Sequence, residues 1–116
     1  MKTLFILNEP AYGNERSYNG LRLALSLAKA EGQEVRIFLM GDAVTCAKTP
    51  QKTPDGYYNV ERMLKRVLMT KGRVLLCGTC MDASCMVDAD VVEGGLRSTM
   101  DELAEATAEA DKVLVF

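Results

Sequence analysis

Four short apolar runs recur along this chain, and the segments between them constrain the fold more than any other feature. The runs are Leu4–Leu7, Val35–Met40, Val74–Cys77 and Val113–Phe116. Each is too short for a buried helix and has the length of a strand covered on both faces. The connections are far too long for hairpins, which favours parallel pairing. The pattern therefore predicts an α/β fold in which helices cover both faces of a parallel sheet.

The intervening segments predict helices. Leu21 to Ala28 repeats at helical spacing and ends near Gly32, and Val60 to Leu68 gives the clearest amphipathic pattern. Thr99 and Glu102 form a capping box that opens a third helix, with Met100, Leu103, Ala104 and Thr107 on its apolar face. A weaker signal at 94–98 indicates a short fifth strand, and 45–58 is a long loop typical of a functional or interface segment.

Length and charge exclude several classes of protein. The 116 residues suit one domain, 1–116, and we expect no linker. The net charge is −2 and there is no basic block, so we expect no nucleic-acid partner. No apolar stretch approaches the roughly 18 residues of a membrane span, and the first residues lack the pattern of a leader peptide. We therefore expect a cytoplasmic protein without a membrane partner, whose cysteines stay reduced.

The sequence contains no histidine, which restricts the chemistry further. Ser-His-Asp and Cys-His nucleophile pairs are both excluded. An activated cysteine would have to rely on backbone dipoles, a helix terminus, or Lys and Arg. The sequence also lacks the glycine patterns of nucleotide-binding loops, so we expect no cofactor.

Three of the four cysteines lie in one segment, 74–85. The apolar run stops at Cys77, the chain turns through Gly78 and Thr79, and Cys80 is predicted to open a helix. The partial positive charge and free N–H groups of a helix N-terminus favour a thiolate over a thiol. This segment is therefore the candidate catalytic site, with Cys77 and Cys80 as its thiols.

Four interpretations of these thiols remain open. The first is a nucleophilic Cys77 that attacks a persulfide and holds its outer sulfur, and the second is a dithiol redox centre formed by Cys77 and Cys80. The redox geometry is less apt, because thioredoxin-type sites begin a helix with the first cysteine. A metal or iron–sulfur site would use all four cysteines, but their spacing fits no compact pattern, so we expect no metal. The fourth interpretation is a buried structural thiol, favoured most for Cys46 and Cys85.

The candidate binding residues follow from the sheet. Functional groups of a parallel sheet gather beyond the carboxyl ends of its strands. Three predicted loops leave from those ends, at 8–14, 41–58 and 77–85. They place Asn8, Tyr12, Cys46 and Thr79 as candidate binding residues at the rim that carries Cys77.

The motifs together resemble the DsrE-like (YchN-like) sulfur-relay superfamily over the whole chain. The resemblance rests on five segments, which are 10–13, 41–44, 53–59, 76–83 and 110–116. It implies a three-layer α/β/α fold, a mainly parallel five-stranded sheet, and assembly of identical chains into trimers or hexamers. Sulfur-transferring members carry a persulfide on a cysteine after the third strand, and Cys77 falls on that position. Tyr12 matches their tyrosine loop, whereas Cys80 belongs to a branch of poorly defined activity.

We therefore expect a small homo-oligomeric sulfur carrier or sulfurtransferase that uses Cys77, with Cys80 as a resolving or tuning thiol. Its partners would be a sulfur-donor or sulfur-acceptor protein. The alternatives are a non-catalytic oligomeric module that binds a small ligand or supports assembly, and a Cys-x-x-Cys dithiol redox protein.

Overall fold

The computed structural model describes residues 1–116, which form one five-stranded sheet with all neighbouring strands parallel. The strand order is β4-β3-β2-β1-β5. The strands are β1 Lys2–Leu7, β2 Glu34–Leu39, β3 Arg73–Cys77, β4 Gly95–Ser98 and β5 Lys112–Val115. The helices are α1 Arg16–Ala28, α2 Val60–Met69, α3 Gly78–Ala83 and α4 Met100–Glu109, with 3₁₀ turns at Gly41–Ala47 and Asp88–Asp90. The predicted α/β fold is confirmed, including the weakly indicated strand β4.

The helices divide between the two faces of the sheet. Helices α1 and α2 pack together on one face, where Gly20 of α1 lies against the side chains of Leu7 and Phe116. Helix α4 lies on the other face, where Glu109 binds Arg36 of β2 at 3.0 Å. Successive strand residues point to opposite faces. Cys77 therefore faces the α4 side, because its neighbour Leu76 is in register with Leu39 and Leu7 on the α1 side.

The helix ends follow their capping residues. The Asn59 side chain accepts a hydrogen bond from the Arg62 N–H at the start of α2, at 3.0 Å. Thr99 does the same for the Glu102 N–H of α4, at 3.1 Å, as the capping box predicts.

The apolar face predicted for α4 is only partly right. Leu103 is buried, but its companion in the core is Ala106, whereas Met100 is 63% exposed and Ala104 and Thr107 are also exposed. The small and mildly apolar residues of α4 are spread around most of the helix circumference. The sequence therefore defines only weakly which side of the helix faces the sheet. Met100 is left free to reach the site described below.

The start of α3 differs from the prediction. The helix begins at Gly78 rather than at Cys80, and Cys77 is its N-cap. Gly78 permits this early start, because a Cβ there would lie 2.9 Å from Arg97 Nε and 3.1 Å from the Ser98 carbonyl oxygen. The first cysteine of the pair therefore starts the helix, as in thioredoxin-type sites, and the expectation of a less apt redox geometry was wrong.

The long loop after β2 is held by a buried carboxylate. Glu61 accepts hydrogen bonds from the Gln51 N–H at 2.7 Å and from the Thr49 hydroxyl, and it pairs with Lys65 at 3.0 Å. Burial acts to raise the pKa of Glu61, but these donors outweigh it and lower the pKa.

The helices of this fold are all too short or too polar to cross a lipid bilayer.

Candidate functional site

Cys77 lies where β3 passes into α3, and only 8% of its surface is exposed. Its Sγ accepts a hydrogen bond from the Cys80 N–H at 3.3 Å and lies 3.3 Å from the Thr79 hydroxyl oxygen. The residues of the first helical turn thus direct their donors at one sulfur atom. Such donors stabilise a thiolate more than a thiol.

The pKa of Cys77 is lowered, whereas the pKa of Cys80 is raised. Burial acts to raise the pKa of Cys77, but hydrogen bonds from the Cys80 thiol, the Thr79 hydroxyl and the backbone outweigh it and lower the pKa. Burial, together with the hydrogen bond and charge of Cys77, raises the pKa of Cys80. Cys77 is therefore the member of the pair that ionises first, and Cys80 keeps its proton. The Cys80 sulfur also lies 3.9 Å from the Met40 sulfur.

A cavity of about 220 Å³ opens beside Cys77 on the α4 side of the sheet. Its wall is mostly apolar or hydroxyl-bearing. The lining residues are Phe38, Met40, Cys77, Gly78, Thr79, Arg97, Ser98, Thr99 and Met100. Arg97 is the one charged residue among them, and it forms two hydrogen bonds with Asp82, at 2.8 and 3.1 Å. The site therefore combines a nucleophilic sulfur with a small pocket in which the guanidinium of Arg97 is already paired with Asp82.

The structure places Tyr12 and Asn8 away from this cavity. The Tyr12 hydroxyl accepts a hydrogen bond from the Val60 N–H at 3.0 Å and donates to Gln51 at 2.6 Å. The Asn8 side chain donates to the Phe116 carbonyl oxygen at 3.2 Å. Both side chains therefore hold neighbouring segments together, and of the four predicted binding residues only Thr79 contacts Cys77.

The other two cysteines have contrasting surroundings. Cys46 is fully buried, and its Sγ lies 3.8 Å from the Glu9 carbonyl oxygen. Burial raises the pKa of the Cys46 thiol to about 12, so it stays protonated and unreactive near neutral pH. Cys85 is exposed after the end of α3. Neither residue lines the Cys77 cavity.

The second half of the site comes from β4 and the start of α4, and it was not predicted from the sequence. Ser98 lies opposite Cys77 in the β3–β4 register, and Met100 follows two residues later. The sequence did indicate a short strand at 94–98. Its carboxyl end would have added a fourth loop to the predicted rim, beside that of β3.

Two further features concern metal binding and a cavity away from Cys77. No group of three or more Cys, Asp or Glu side chains is arranged to hold a metal ion. A second cavity, of about 420 Å³, lies between α1 and α2 and is lined by Tyr18, Arg22, Lys29, Arg62 and Arg66 among others. It is on the sheet face opposite Cys77, so it is separate from the thiol site.

Comparison with known proteins places the chain in a family. The model of the DsrE/DsrF-like family matches residues 1–116. Protein YchN of Escherichia coli is 39% identical over 116 residues, which are 99% of this chain and 98% of that protein. An uncharacterised protein of Methanocaldococcus jannaschii is 38% identical over the full length of both chains.

Solved structures agree with this assignment. The crystal structure of E. coli YchN superposes with a TM-score of 0.94 at 38% identity, covering 100% of this chain and 99% of that one. A Methanobacterium thermoautotrophicum protein of unknown function, MTH1491, shares the fold, with a TM-score of 0.77 at 14% identity and coverage of 99% and 98%. The chain therefore belongs to the DsrE/DsrF-like family.

Proposed function

We propose that this protein carries persulfide sulfur on Cys77 and passes it to an acceptor thiol. The observation that carries the proposal is the set of donors around the Cys77 sulfur, which lower its pKa although the residue is nearly buried. Membership of the DsrE/DsrF-like family supports the same chemistry. The cavity beside the thiol supplies room for an additional atom on that sulfur.

The proposed reaction is a transfer of one sulfur atom between thiols. The Cys77 thiolate attacks the outer sulfur of a donor persulfide, R–S–SH. A new S–S bond forms at Cys77, the donor's S–S bond breaks, and the donor leaves as the thiolate R–S⁻. Release to an acceptor thiolate repeats the exchange in reverse, with Cys77 as the leaving group. A leaving thiol with a low pKa departs faster, so the lowered pKa of Cys77 favours the release step.

The partners of the reaction would be a donor and an acceptor protein, in a compartment that keeps thiols reduced. We place the protein in the cytoplasm on that chemical ground. We also propose that identical chains assemble into a trimer or hexamer. The α4 side of the sheet supports assembly, because Leu96, Met100 and Val115 there are 50–64% exposed. Light scattering coupled to size exclusion tests this, and a monomer at micromolar concentration would contradict it.

The sulfur-carrying proposal is tested with a cysteine desulfurase and L-cysteine. We expect the wild-type chain to gain the mass of one sulfur atom that is removed by cyanide or a reductant. Cys77→Ser should gain none, whereas Cys85→Ser, which removes the exposed cysteine, should behave like the wild type. Equal gain by wild type and Cys77→Ser would refute the proposal.

One observation favours a second candidate, a dithiol redox centre. Cys77 is the N-cap of α3 and Cys80 follows within the first turn, with the lower pKa on the first cysteine. This is how reactive Cys-x-x-Cys pairs are arranged. Mild oxidation distinguishes the two functions. A reversible Cys77–Cys80 disulfide that forms in preference to a persulfide would favour the redox function.

A further inference from the structure

Ser98 carries a polar group that the resting protein does not use. The residue is only 4% exposed, and its hydroxyl has no hydrogen-bond partner. Buried hydroxyls are nearly always paired, because leaving one unpaired costs stability. Thr3 has the only other buried hydroxyl of this kind. An unpaired buried donor is therefore a candidate for a group that binds something else.

The position of Ser98 connects it with the reactive sulfur. Ser98 of β4 is the register partner of Cys77 of β3, so the two side chains point to the same face of the sheet. Adjacent strands lie about 4.8 Å apart. Both residues line the 220 Å³ cavity, whose other walls include Phe38, Met40 and Met100. The unpaired hydroxyl and the reactive thiol therefore belong to neighbouring residues at the ends of two paired strands, and both residues line one small cavity.

We propose that this cavity is the subsite for the outer sulfur on Cys77 and that the Ser98 hydroxyl is its hydrogen-bond donor. This inference rests on the proposed function and adds to it a sulfur-binding residue and the class of group bound, a terminal sulfane sulfur anion. In the loaded state the outer sulfur has released its proton to solvent and carries the negative charge. Ser98 donates to that sulfur.

The dimensions and lining of the cavity fit this group. An S–S bond is about 2.05 Å long, so the outer sulfur is a small addition to Cys77 Sγ. The cavity of about 220 Å³ is smaller than the roughly 300–1,000 Å³ of pockets that hold drug-sized ligands, so it suits a small group such as a short sulfur chain. The thioethers of Met40 and Met100 provide polarizable surroundings.

The hydrogen bonds around Cys77 in the unloaded protein do not involve the Ser98 hydroxyl, so this hydroxyl is available to bind the outer sulfur. The Cys80 N–H donates to Cys77 Sγ, and the Thr79 hydroxyl lies 3.3 Å from the same sulfur. Both groups belong to α3. Ser98 belongs to β4 and lines the cavity from this other element, with its hydroxyl unpaired.

The test compares Ser98→Ala with Thr3→Val, a matched control that removes the other unpaired buried hydroxyl. Each protein is loaded chemically with inorganic polysulfide, which requires no protein donor. The rate at which dithiothreitol removes the outer sulfur is then followed by mass spectrometry. We expect Ser98→Ala to lose the sulfur about tenfold faster than wild type, the size of one hydrogen bond to a charged group. Thr3→Val should match wild type.

A second readout separates this role from a general disturbance of the site. The pH dependence of Cys77 alkylation in the unloaded protein should be the same for Ser98→Ala and wild type, because Ser98 does not donate to the thiolate. Equal release rates for the two proteins would overturn the inference, as would a shifted alkylation profile. A wild type that loads from polysulfide but never from a desulfurase would overturn the proposed function and leave the Ser98 comparison intact. A Cys77 that takes no sulfur from polysulfide would overturn both.

Discussion

Replacement of Thr79 by valine tests how the site lowers the pKa of Cys77. The Thr79 hydroxyl lies 3.3 Å from Cys77 Sγ and is one of the groups that lower its pKa. A hydrogen bond to a charged group contributes about 1.5–3 kcal/mol, and the long contact of an exposed residue belongs at the low end. One pKa unit corresponds to 1.36 kcal/mol. Loss of the Thr79 hydrogen bond should therefore raise the pKa of Cys77 by about one unit.

The assay is the rate of iodoacetamide alkylation at Cys77 as a function of pH, resolved by peptide so that the exposed Cys85 does not interfere. Below the midpoint, Thr79→Val should react about tenfold more slowly than wild type, since the thiolate fraction falls tenfold per pKa unit. Thr107→Val is the control, because its hydroxyl donates only to the Leu103 carbonyl oxygen of α4. A midpoint in Thr79→Val equal to that of wild type would refute the assignment of Thr79 as a thiolate donor.

Three further outcomes are expected. The folded-state pKa of Cys77 is lowered, so its ionisation stabilises the protein above the ordinary thiol pKa, and this contribution is lost as the pH falls through the lowered value. The unfolding free energy of wild type relative to Cys77→Ser, from urea titrations, should accordingly rise with pH across that window, and a flat difference would contradict the lowered pKa. Leu64→Ala, at a fully buried position of α2, should cost about 2–5 kcal/mol in the same assay, and a loss below about 1 kcal/mol would contradict its place in the core. Gly72→Ala should cost about 1–3 kcal/mol, because its Cβ would lie 2.7 Å from the Val67 carbonyl oxygen, and unchanged stability would refute that close approach.

The architecture was predictable from the sequence because its signals are local. Runs such as Leu4–Leu7 and Val74–Cys77 have the composition of buried parallel strands, and the long connections between them exclude hairpins. The Thr99 cap of α4 was also predictable, since the capping box involves residues three apart. The rotation of α4 was not, because its alanines provide little contrast between one side and another.

The site was predictable only where one segment supplies it. Cys77, Thr79 and Cys80 lie within four residues, and the structure brings them together. Ser98 reaches the site through strand pairing, which depends on the order of strands in the sheet and not on spacing along the chain. Tyr12 lies on a loop at a carboxyl strand end, as predicted, but its hydroxyl bonds to Val60 and Gln51. Position at the rim therefore did not reveal which side chains face the thiol.

The claim that Cys77 carries the sulfur is tested most directly by finding which cysteine of the wild-type protein gains the sulfur atom. The four cysteines differ in exposure, and none is held in a disulfide, so all can compete for sulfur from a desulfurase. Peptide-resolved mass spectrometry after limited loading should find the extra atom on Cys77 although Cys85 is far more exposed, and none on Cys46. Sulfur that accumulates on Cys85 while Cys77 stays unmodified would contradict the account.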